Sequence, residues 1–292
     1  MPELPEVETV RRGLEELIVG KRVKTATAID SPKSFPNAAV DVKHFLFDAG
    51  IVAIRRRAKV LLIDLSSDYT LVIHLKMTGQ LVFRGEQTFG AGHPNDSLIG
   101  KLPDRSTRVI IAFTDDSTLF FNDQRKFGWM KLFPTIEVPN IDFMKKVGPE
   151  PLEADFTDAV FIERIRRRNG TTIKAAILDQ TVLAGVGNIY ADESLWGAKI
   201  HPATRVRDVT NAQLSLLLKE IKYVMNLSIE KGGSTDKNYV NAEGKRGSYI
   251  DFARVFRQEG QPCQRHPDVT IEKIRVAGRG THLCAICQVP PV

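Results

Sequence analysis

Cysteine is scarce in this chain of 292 residues: Cys263, Cys284 and Cys287 are the only three, and all fall in the last thirty positions. An odd number clustered at one end argues against a disulfide framework and for a metal site. Long apolar runs are missing too. None approaches the roughly 20 residues that cross a bilayer, which excludes a membrane-spanning helix. No charged-then-apolar leader precedes a cleavage site, so a cytoplasmic, nucleoid-associated location is expected. Acidic charge is outweighed by basic charge, 35 Asp and Glu against 41 Lys and Arg, leaving +6 and a pI near 9.2. A surplus of this sign suits a polyanionic partner. The length allows two or three packed units, and a hydrophobic content of 42% is ordinary for a globular protein.

Proline and carboxylate are concentrated where most chains fray. Pro2, Glu3, Pro5, Glu6 and Glu8 crowd the first eight positions. Removal of Met1 frees the secondary amine of Pro2. An α-amine titrates near 7.7–8.0 and a lysine near 10.4, so roughly a fifth of the former and about a thousandth of the latter is unprotonated near neutrality. Such an amine attacks a carbonyl-like carbon and forms a Schiff base, with the adjacent Glu3 as acid–base partner. With Met1 attached, the same nitrogen is a tertiary amide and cannot react. The plainer role of the stretch is helix initiation, with Pro5 in a first turn and glutamates at the positive end of the helix.

Val7, Val10, Leu14 and Leu17 recur at helical spacing and Gly20 stops the run, which predicts a helix over 5–19. The period then changes. Short strands are predicted over 23–29, 50–54, 60–65, 71–75, 80–83, 108–113, 118–122 and 130–133, and their short connections predict an antiparallel sandwich or barrel. Residues 84–108 read as one long Gly/Pro/polar loop. Pro134, Pro139, Pro149 and Pro151 mark a linker over 135–153. Helices are predicted over 160–168, 173–179, 189–198 and 211–230. The last opens on a capping box from Thr210 to Gln213 and stops at Gly232-Gly233. Alternation over 270–276, a turn at 277–280 and a return over 281–283 predict a hairpin. The expected class is therefore α+β: an N-terminal antiparallel β-sandwich domain with an N-terminal helix over 1–134, the linker, a helical domain over 154–250, and a small metal-binding hairpin over 251–292.

Several stretches carry chemistry. Gly185-Val186-Gly187-Asn188 feeds a helix start, where backbone N–H groups can meet a phosphate. Cys263-x-x-His266 and Cys284-x-x-Cys287, separated by seventeen residues, have zinc-site spacing, and Cys3His is an accepted structural set. His282 is an alternative fourth ligand, but the knuckle spacing favours His266. Lys59 closes a basic turn, and the stretches His74–Gly79 and Asn122–Gly128 each set an apolar side chain, Met77 or Phe127, among polar ones.

These motifs resemble the formamidopyrimidine-DNA glycosylase family, whose members remove oxidised purines in base-excision repair and then cut the strand. Pro-Glu-Leu-Pro-Glu-Val-Glu-Thr followed by Val10-Arg11-Arg12-Gly13-Leu14 resembles the family's N-terminus. The resemblance implies Pro2 as nucleophile, Glu3 in proton transfer at the sugar, and Lys59 in the elimination. His74-Leu75-Lys76-Met77-Thr78-Gly79 resembles His-Leu-x-Met-Thr/Ser-Gly, which implies a DNA contact at His74 and a methionine filling the gap left by an extruded base. Asn122-Asp123-Gln124-Arg125-Lys126-Phe127-Gly128 resembles Asp-Pro-Arg-Arg-Phe-Gly, with Arg125 on the orphaned base and Phe127 wedged beside it. Gln124 departs from the usual proline. A histidine that the family carries before its next strand is replaced here by Arg105-Ser106-Thr107-Arg108, with His93 a weak substitute.

In the second half, Gly-Val-Gly-Asn-Ile-Tyr-Ala-Asp-Glu is similar to the family's helix–two-turns–helix element. The resemblance implies that Asn188 holds the DNA backbone, that Lys174 binds phosphate and that Glu193 lies behind the catalytic amine. The polar stretch from Gly232 to Tyr249 would fold over the extruded base, with Lys237 and Tyr249 among its contacts. Arg279, at the hairpin turn, would grip phosphate and belong to the catalytic group. The metal ligands become Cys263, His266, Cys284 and Cys287 around one structural Zn2+. The implied partner is double-stranded DNA containing oxidised bases or abasic sites, bound by a monomer without a membrane. Two rival readings are an endonuclease VIII-type enzyme for oxidised pyrimidines, which the Leu4-Pro5 form disfavours, and a non-catalytic binder of damaged DNA.

Overall fold

The computed structural model of the protein describes residues 2–93, 95–234 and 249–290. The chain divides into two compact units, residues 1–145 with 231–248 and residues 146–230 with 249–292.

The first unit opens with α1 (Leu4–Ile18). Pro5 sits in its first turn, and Glu6 Oε2 accepts from Glu3 N at 2.7 Å, part of a capping box. Gly20, at φ 86°, ends the helix. Val7, Val10, Leu14 and Ile18 form its buried stripe, Ile18 taking the place expected for the half-buried Leu17. There follow β1 (Val23–Ala28), a short α2 (Ala39–Phe45), β2 (Ile51–Arg57), β3 (Val60–Leu65), β4 (Tyr69–His74), β5 (Gly79–Arg84), β6 (Thr88–Gly92), β7 (Thr107–Phe113), β8 (Thr118–Asp123) and β9 (Trp129–Pro134).

These strands make two antiparallel sheets, in the orders β1-β7-β8-β5-β6 and β2-β3-β4-β9. Leu61, Ile63, Leu71 and Ile73 of one sheet share a core with Leu81, Phe83, Val109, Ile111 and Phe121 of the other. The stripe of α1 joins that core and touches β2 and β3 on one side, β5 and β6 on the other. The helix thus plugs its own sandwich, and the residues at its start inherit that rigidity.

Two expectations are corrected here. The stretch 84–108 is not all loop: β6 pairs with β5 from Arg84↔Thr88 to Gln80↔Gly92. Gly90 and Gly92 conceal the strand, because glycine is a poor strand former and leaves little alternation to read. The stretch 135–153 is not a free linker either. Val138, Ile141, Phe143 and Met144 cover Val60, Leu62 and Val72, so its first half belongs to the sandwich. Its second half belongs to the other unit, where Gly148 N donates to Gln180 O at 2.7 Å. Proline density marked irregular backbone, not an absence of packing.

The second unit takes up the end of α3 (Asp142–Lys146) and continues with α4 (Asp158–Arg166), α5 (Ile173–Leu178), α6 (Asn188–Gly197) and α7 (Asn211–Glu230). The expected capping box opens α7, with Thr210 N to Gln213 Oε1 at 2.9 Å and Gln213 N to Thr210 Oγ1 at 3.2 Å. Helix α6 is buried at every position from Tyr190 to Gly197. The hairpin β10 (Glu272–Val276) and β11 (Arg279–Leu283) turns through Ala277 at φ 51° and Gly278 at φ 71°, both left-handed as a two-residue hairpin requires. The cysteines share a buried cluster with Trp196 of α6 and Val255, so the cysteine-bearing end of the chain packs on the helices. No helix among the described residues is long and apolar enough to cross a membrane.

Gly13 is where α1 admits the concealed strand. A Cβ there would lie 2.3 Å from ring carbons of Phe89 in β6. Gly13→Ala is expected to lower stability by about 1–3 kcal/mol through overpacking. Urea unfolding checks this: the midpoint should fall with an unchanged slope.

Candidate functional site

The N-terminal candidates sit at the N-cap of α1. Pro2 is buried, and Glu3 is 3% exposed. Glu6 serves two backbone groups, Glu3 N through Oε2 at 2.7 Å and Ser234 N through Oε1 at 2.8 Å. The polar stretch that begins at Gly232 therefore starts against the N-cap. Lys237 lies outside the described residues.

Lys59 follows Ala58, which takes φ 53° in the tight turn between β2 and β3, and it is buried. Pairing of β3 with β4 sets His74 opposite Val60, one residue from Lys59. Burial, then the ammonium groups of Lys76 and Lys59, push the His74 pKa down to about 3. His74 is therefore neutral at physiological pH. Its Nδ1 accepts from Lys76 N at 3.1 Å, which assigns the ring proton to Nε2. The side chain is a neutral donor, able to give a phosphate oxygen a hydrogen bond without adding a charge.

Arg125 and Phe127 ride on a loop that a buried carboxylate organises. Asp123, fully buried at the end of β8, accepts from Gly128 N through Oδ2 at 2.6 Å and from Arg125 N through Oδ1 at 3.2 Å. Thr78, in the motif beside Met77, donates to Asp123 Oδ1 and accepts from Arg125 N at 3.0 Å. Gly128 allows the close approach, since a Cβ there would meet Phe121 at 2.7 Å. Arg125 and Phe127 are left exposed, with the guanidinium 4.8 Å over the ring. Met77 is half-buried. Arg108 is buried and binds the carbonyls of Asp123 at 2.8 Å and Arg105 at 3.0 Å. The missing histidine is thus replaced by an internal brace, while His93 lies on the far side of β5, its N bonded to Gly79 O. Asp123 and Thr78 were not singled out from the sequence, although an Asp opening a turn before Gly is a readable signal.

In the second unit, two expectations change. Lys174 is fully buried, not a surface phosphate ligand. Its ammonium lies 2.6 Å from Asp192 Oδ1 and 2.7 Å from Thr281 Oγ1, with Gly280 O at 3.3 Å. Tyr249 is buried as well, and its hydroxyl donates to Glu193 Oε2 at 3.1 Å. Burial and the Glu193 charge raise its pKa, which keeps it a neutral donor to that carboxylate. Glu193 is no surface carboxylate: it accepts from the backbone N–H groups of Arg254, Val255 and Phe256 at 2.8–3.1 Å. Asp192 accepts from His282 N at 2.9 Å. Adjacent acids inside the apolar helix Asn188–Gly197 were the available signal, because buried charge must be paired.

The hairpin turn is held by the same group. Asn188 Nδ2 donates to Gly280 O at 3.0 Å, next to Arg279. Asn188 Oδ1 has no partner among the described residues. Arg279 is exposed. Gly185 requires its left-handed φ of 85°, whereas Gly187 is extended and caps α6 without a side chain.

Cys263, His266, Cys284 and Cys287 converge, their ligand atoms all within 4.8 Å of one another. Cys263 Sγ and Cys287 Sγ are 3.7 Å apart, and His266 Nδ1 is 3.2 Å from Cys287 Sγ. A tetrahedral zinc with Zn–S of about 2.3 Å spaces its sulfurs by about 3.8 Å, so the set fits such an ion. Burial opposes the Cys263 thiolate, yet backbone N–H groups of Arg265 and His266 help hold its pKa at about 6. Burial and the neighbouring sulfurs of Cys284 and Cys263 push Cys287 up to about 12. Crowded thiolates of this kind need a cation. His282 is committed to Asp192 and is not in the set.

Residues 1–130 match the family described as formamidopyrimidine-DNA glycosylase N-terminal domain, and residues 147–239 the formamidopyrimidine-DNA glycosylase H2TH domain. The formamidopyrimidine-DNA glycosylase of Pediococcus pentosaceus is 41% identical over 289 residues, 99% of each chain. That of Herpetosiphon aurantiacus is 40% identical, covering 99% of this chain and all of the other. Two solved structures of the Lactococcus lactis protein align with a TM-score of 0.87 at 35% identity, over 99% of this chain and 100% of that one. One is a variant in complex with Fapy-dG-containing DNA, the other a complex with abasic-site DNA. The likeness to these proteins extends along the full length of the chain. The chain belongs to the formamidopyrimidine-DNA glycosylase family.

Lys174→Met strands Asp192 without its buried partner, and unfolding free energy should fall by about 3–5 kcal/mol. Adding Asp192→Leu should restore much of it. A loss below about 1 kcal/mol in the single variant would refute the pairing's structural role.

Proposed function

We propose that the protein excises oxidised purines, 8-oxoguanine and formamidopyrimidines, from double-stranded DNA and cleaves the strand at the resulting abasic site. The observation that carries this reading is the N-terminus: Pro2 and Glu3 form the buried N-cap of the helix that plugs the sandwich. An amine and a carboxyl on neighbouring residues are thereby fixed without a flexible side chain for the amine. Family membership along the whole chain supports the same activity. The names of the relatives and the Fapy-dG complex of the Lactococcus lactis protein favour purine over pyrimidine lesions.

With Met1 removed, the Pro2 nitrogen attacks C1′ of an extruded nucleotide. The bond from C1′ to the base breaks, and the base leaves with a proton. A secondary amine then forms an iminium that has no N–H to lose, so it stays cationic. That charge acidifies the C2′ hydrogen, and loss of the proton expels the 3′ phosphate; a second elimination expels the 5′ phosphate. Glu3 moves protons at the sugar as its ring opens, and Lys59 assists the eliminations. Met77 and Phe127 occupy the space of the extruded base. Unstacking costs a few kcal/mol, and apolar contact from the exposed Phe127 and the half-buried Met77 offsets part of it.

His74, Arg125, Asn188 and Arg279 bind the DNA, with Lys237 a further candidate. Lys174 and Tyr249 act from behind, by holding the hairpin and Glu193. Cys263, His266, Cys284 and Cys287 take one structural Zn2+, which ties the ends of the hairpin that presents Arg279. The protein works as a monomer on the bacterial chromosome, in the cytoplasm.

Borohydride reduction during reaction with an 8-oxoguanine duplex should trap a covalent adduct, and peptide mapping should assign it to residue 2. An adduct on a lysine would overturn the assignment. Absence of any adduct from protein whose Met1 has been shown to be removed would favour the non-catalytic binder.

DNA affinity against salt separates the two kinds of contact. Arg279→Ala should reduce the slope of log K against log salt by about 1. His74→Gln should weaken binding by about 0.5–1.5 kcal/mol, the worth of one hydrogen bond, with the slope unchanged. Because its pKa is held near 3, the His74 contribution should stay constant from about pH 6 to about pH 8, where an ordinary histidine titrates.

A further inference from the structure

Glu8 stands on the second turn of α1, its side chain 12% exposed. Three arginines reach its carboxylate. Arg11 donates through Nε to Oε1 at 3.1 Å, Arg12 through Nε to Oε1 at 2.9 Å, and Arg56 through Nε to Oε2 at 3.1 Å. Arg11 and Arg12 belong to the same helix, at the spacings of three and four that bring side chains together. Arg56 comes from β2, and its side chain is 10% exposed. Burial opposes the charge on Glu8, but hydrogen bonds from Arg11 and Arg12 and the charges of Arg11 and Arg56 hold its pKa below the usual carboxylate range. The pair between helix and strand is therefore ionic.

The same guanidinium has a second partner. Arg56 Nη1 donates to Ala58 O at 3.1 Å, inside the turn between β2 and β3. Ala58 holds φ at 53°, a left-handed backbone that a side chain disfavours. Lys59 is the next residue and is 8% exposed. One nitrogen of Arg56 thus grips the carbonyl just before Lys59, and another grips the helix that follows Pro2 and Glu3. A guanidinium presents its N–H groups in a planar, fixed fork, so the two bonds set a direction as well as a distance.

In the reaction proposed above, Pro2 and Lys59 serve one sugar from separate elements. Apolar packing of α1 on β2 and β3 brings those elements together, but such packing is non-directional and leaves the tip of a turn unaimed. We propose that Glu8 and Arg56 are positioning residues, which lock the turn bearing Lys59 to the helix that follows Pro2; this rests on the assignment of Lys59 to the eliminations. Loss of the lock shifts Lys59 relative to the sugar that Pro2 holds. A misplacement of about 1 Å at a reacting group costs up to about 100-fold in rate.

The test uses the full-length protein with Met1 removed and a duplex carrying a pre-formed abasic site. Two steps are read separately in single turnover: imine formation, by borohydride trapping, and strand cleavage. Arg56→Met should slow cleavage by about 10–100-fold, while the trapped adduct on residue 2 should not diminish. Affinity for a duplex with a tetrahydrofuran abasic analogue should stay at the parental level. In a Lys59→Ala background the same change should slow cleavage no further, because a residue that acts through another is not additive with it. Arg56→Lys keeps the charge without the fork and should be slowed like Arg56→Met. Glu8→Gln is a milder change and goes through the same cycle, so the outcome does not depend on one variant folding. An equal further loss in the Lys59→Ala background would show a merely structural role and overturn the proposal. A parental cleavage rate in folded Arg56→Met does the same. Parental cleavage by Lys59→Ala overturns the role of Lys59, and the lock with it. A parent that neither traps nor cleaves overturns the reading of the function itself.

Discussion

A buried carboxylate must find hydrogen-bond donors, and this chain uses that requirement to fix the backbone of its working loops. Asp123 holds residues 125–128 through two N–H groups. Glu6 holds the start of the stretch at Gly232 through Ser234 N. Asp192 holds β11 through His282 N, and Glu193 holds residues 254–256 through three consecutive N–H groups. All four acids are buried. Ionised acceptors make the stronger hydrogen bonds, and inside the protein each unmet donor or acceptor is expensive. The loops are therefore defined by bonds to acids rooted in helices and strands, where a purely polar loop would sample many conformations.

The same device sorts charge. Acids turn inward onto backbone N–H groups, so they do not neutralise the cations that face solvent. Arg125 and Arg279 are exposed and make no ion pair among the described residues. The modest surplus of +6 understates the basicity of such surfaces, because buried acids contribute less to the field outside than exposed ones. Lys174 belongs to the inward set. Its charge is matched by Asp192 and its remaining contacts reach Thr281 and Gly280, so it sets the hairpin that carries Arg279.

What could be read from the sequence follows from what each signal reports. Periodicity reports burial on one face and located α7 from Asn211 to Glu230, while a short apolar run located β3 from Val60 to Leu65, which is buried on both faces. It could not report β6, where Gly90 and Gly92 take part in the pairing without side chains, nor the packing of Val138 and Phe143 within a proline-rich stretch. The convergence of the Cys and His pairs was legible because four side chains able to hold one ion require short, regular spacings. The depth of Lys174 and Tyr249 was not, since a motif records that a residue is present and says nothing of whether its polar atom faces water or a carboxylate. Asp123 shows the reverse case: it stood inside a quoted motif, and its role emerged only when Gly128 and Thr78 were seen to converge on it.

The chain terminus proposed as nucleophile accords with the same constraints. An amine on a lysine side chain has four rotatable bonds and stays protonated near neutrality. Pro2 has neither handicap once Met1 is gone, because its ring nitrogen is fixed by the backbone that enters α1. Glu6 is bound to two backbone N–H groups, and the Glu3 side chain accepts from the backbone N–H of Glu6. Glu3, the residue next to Pro2, is the carboxyl proposed to move protons. The plug helix that completes the sandwich core is thus also the element that fixes the backbone of Pro2 and Glu3, the residues proposed for the chemistry.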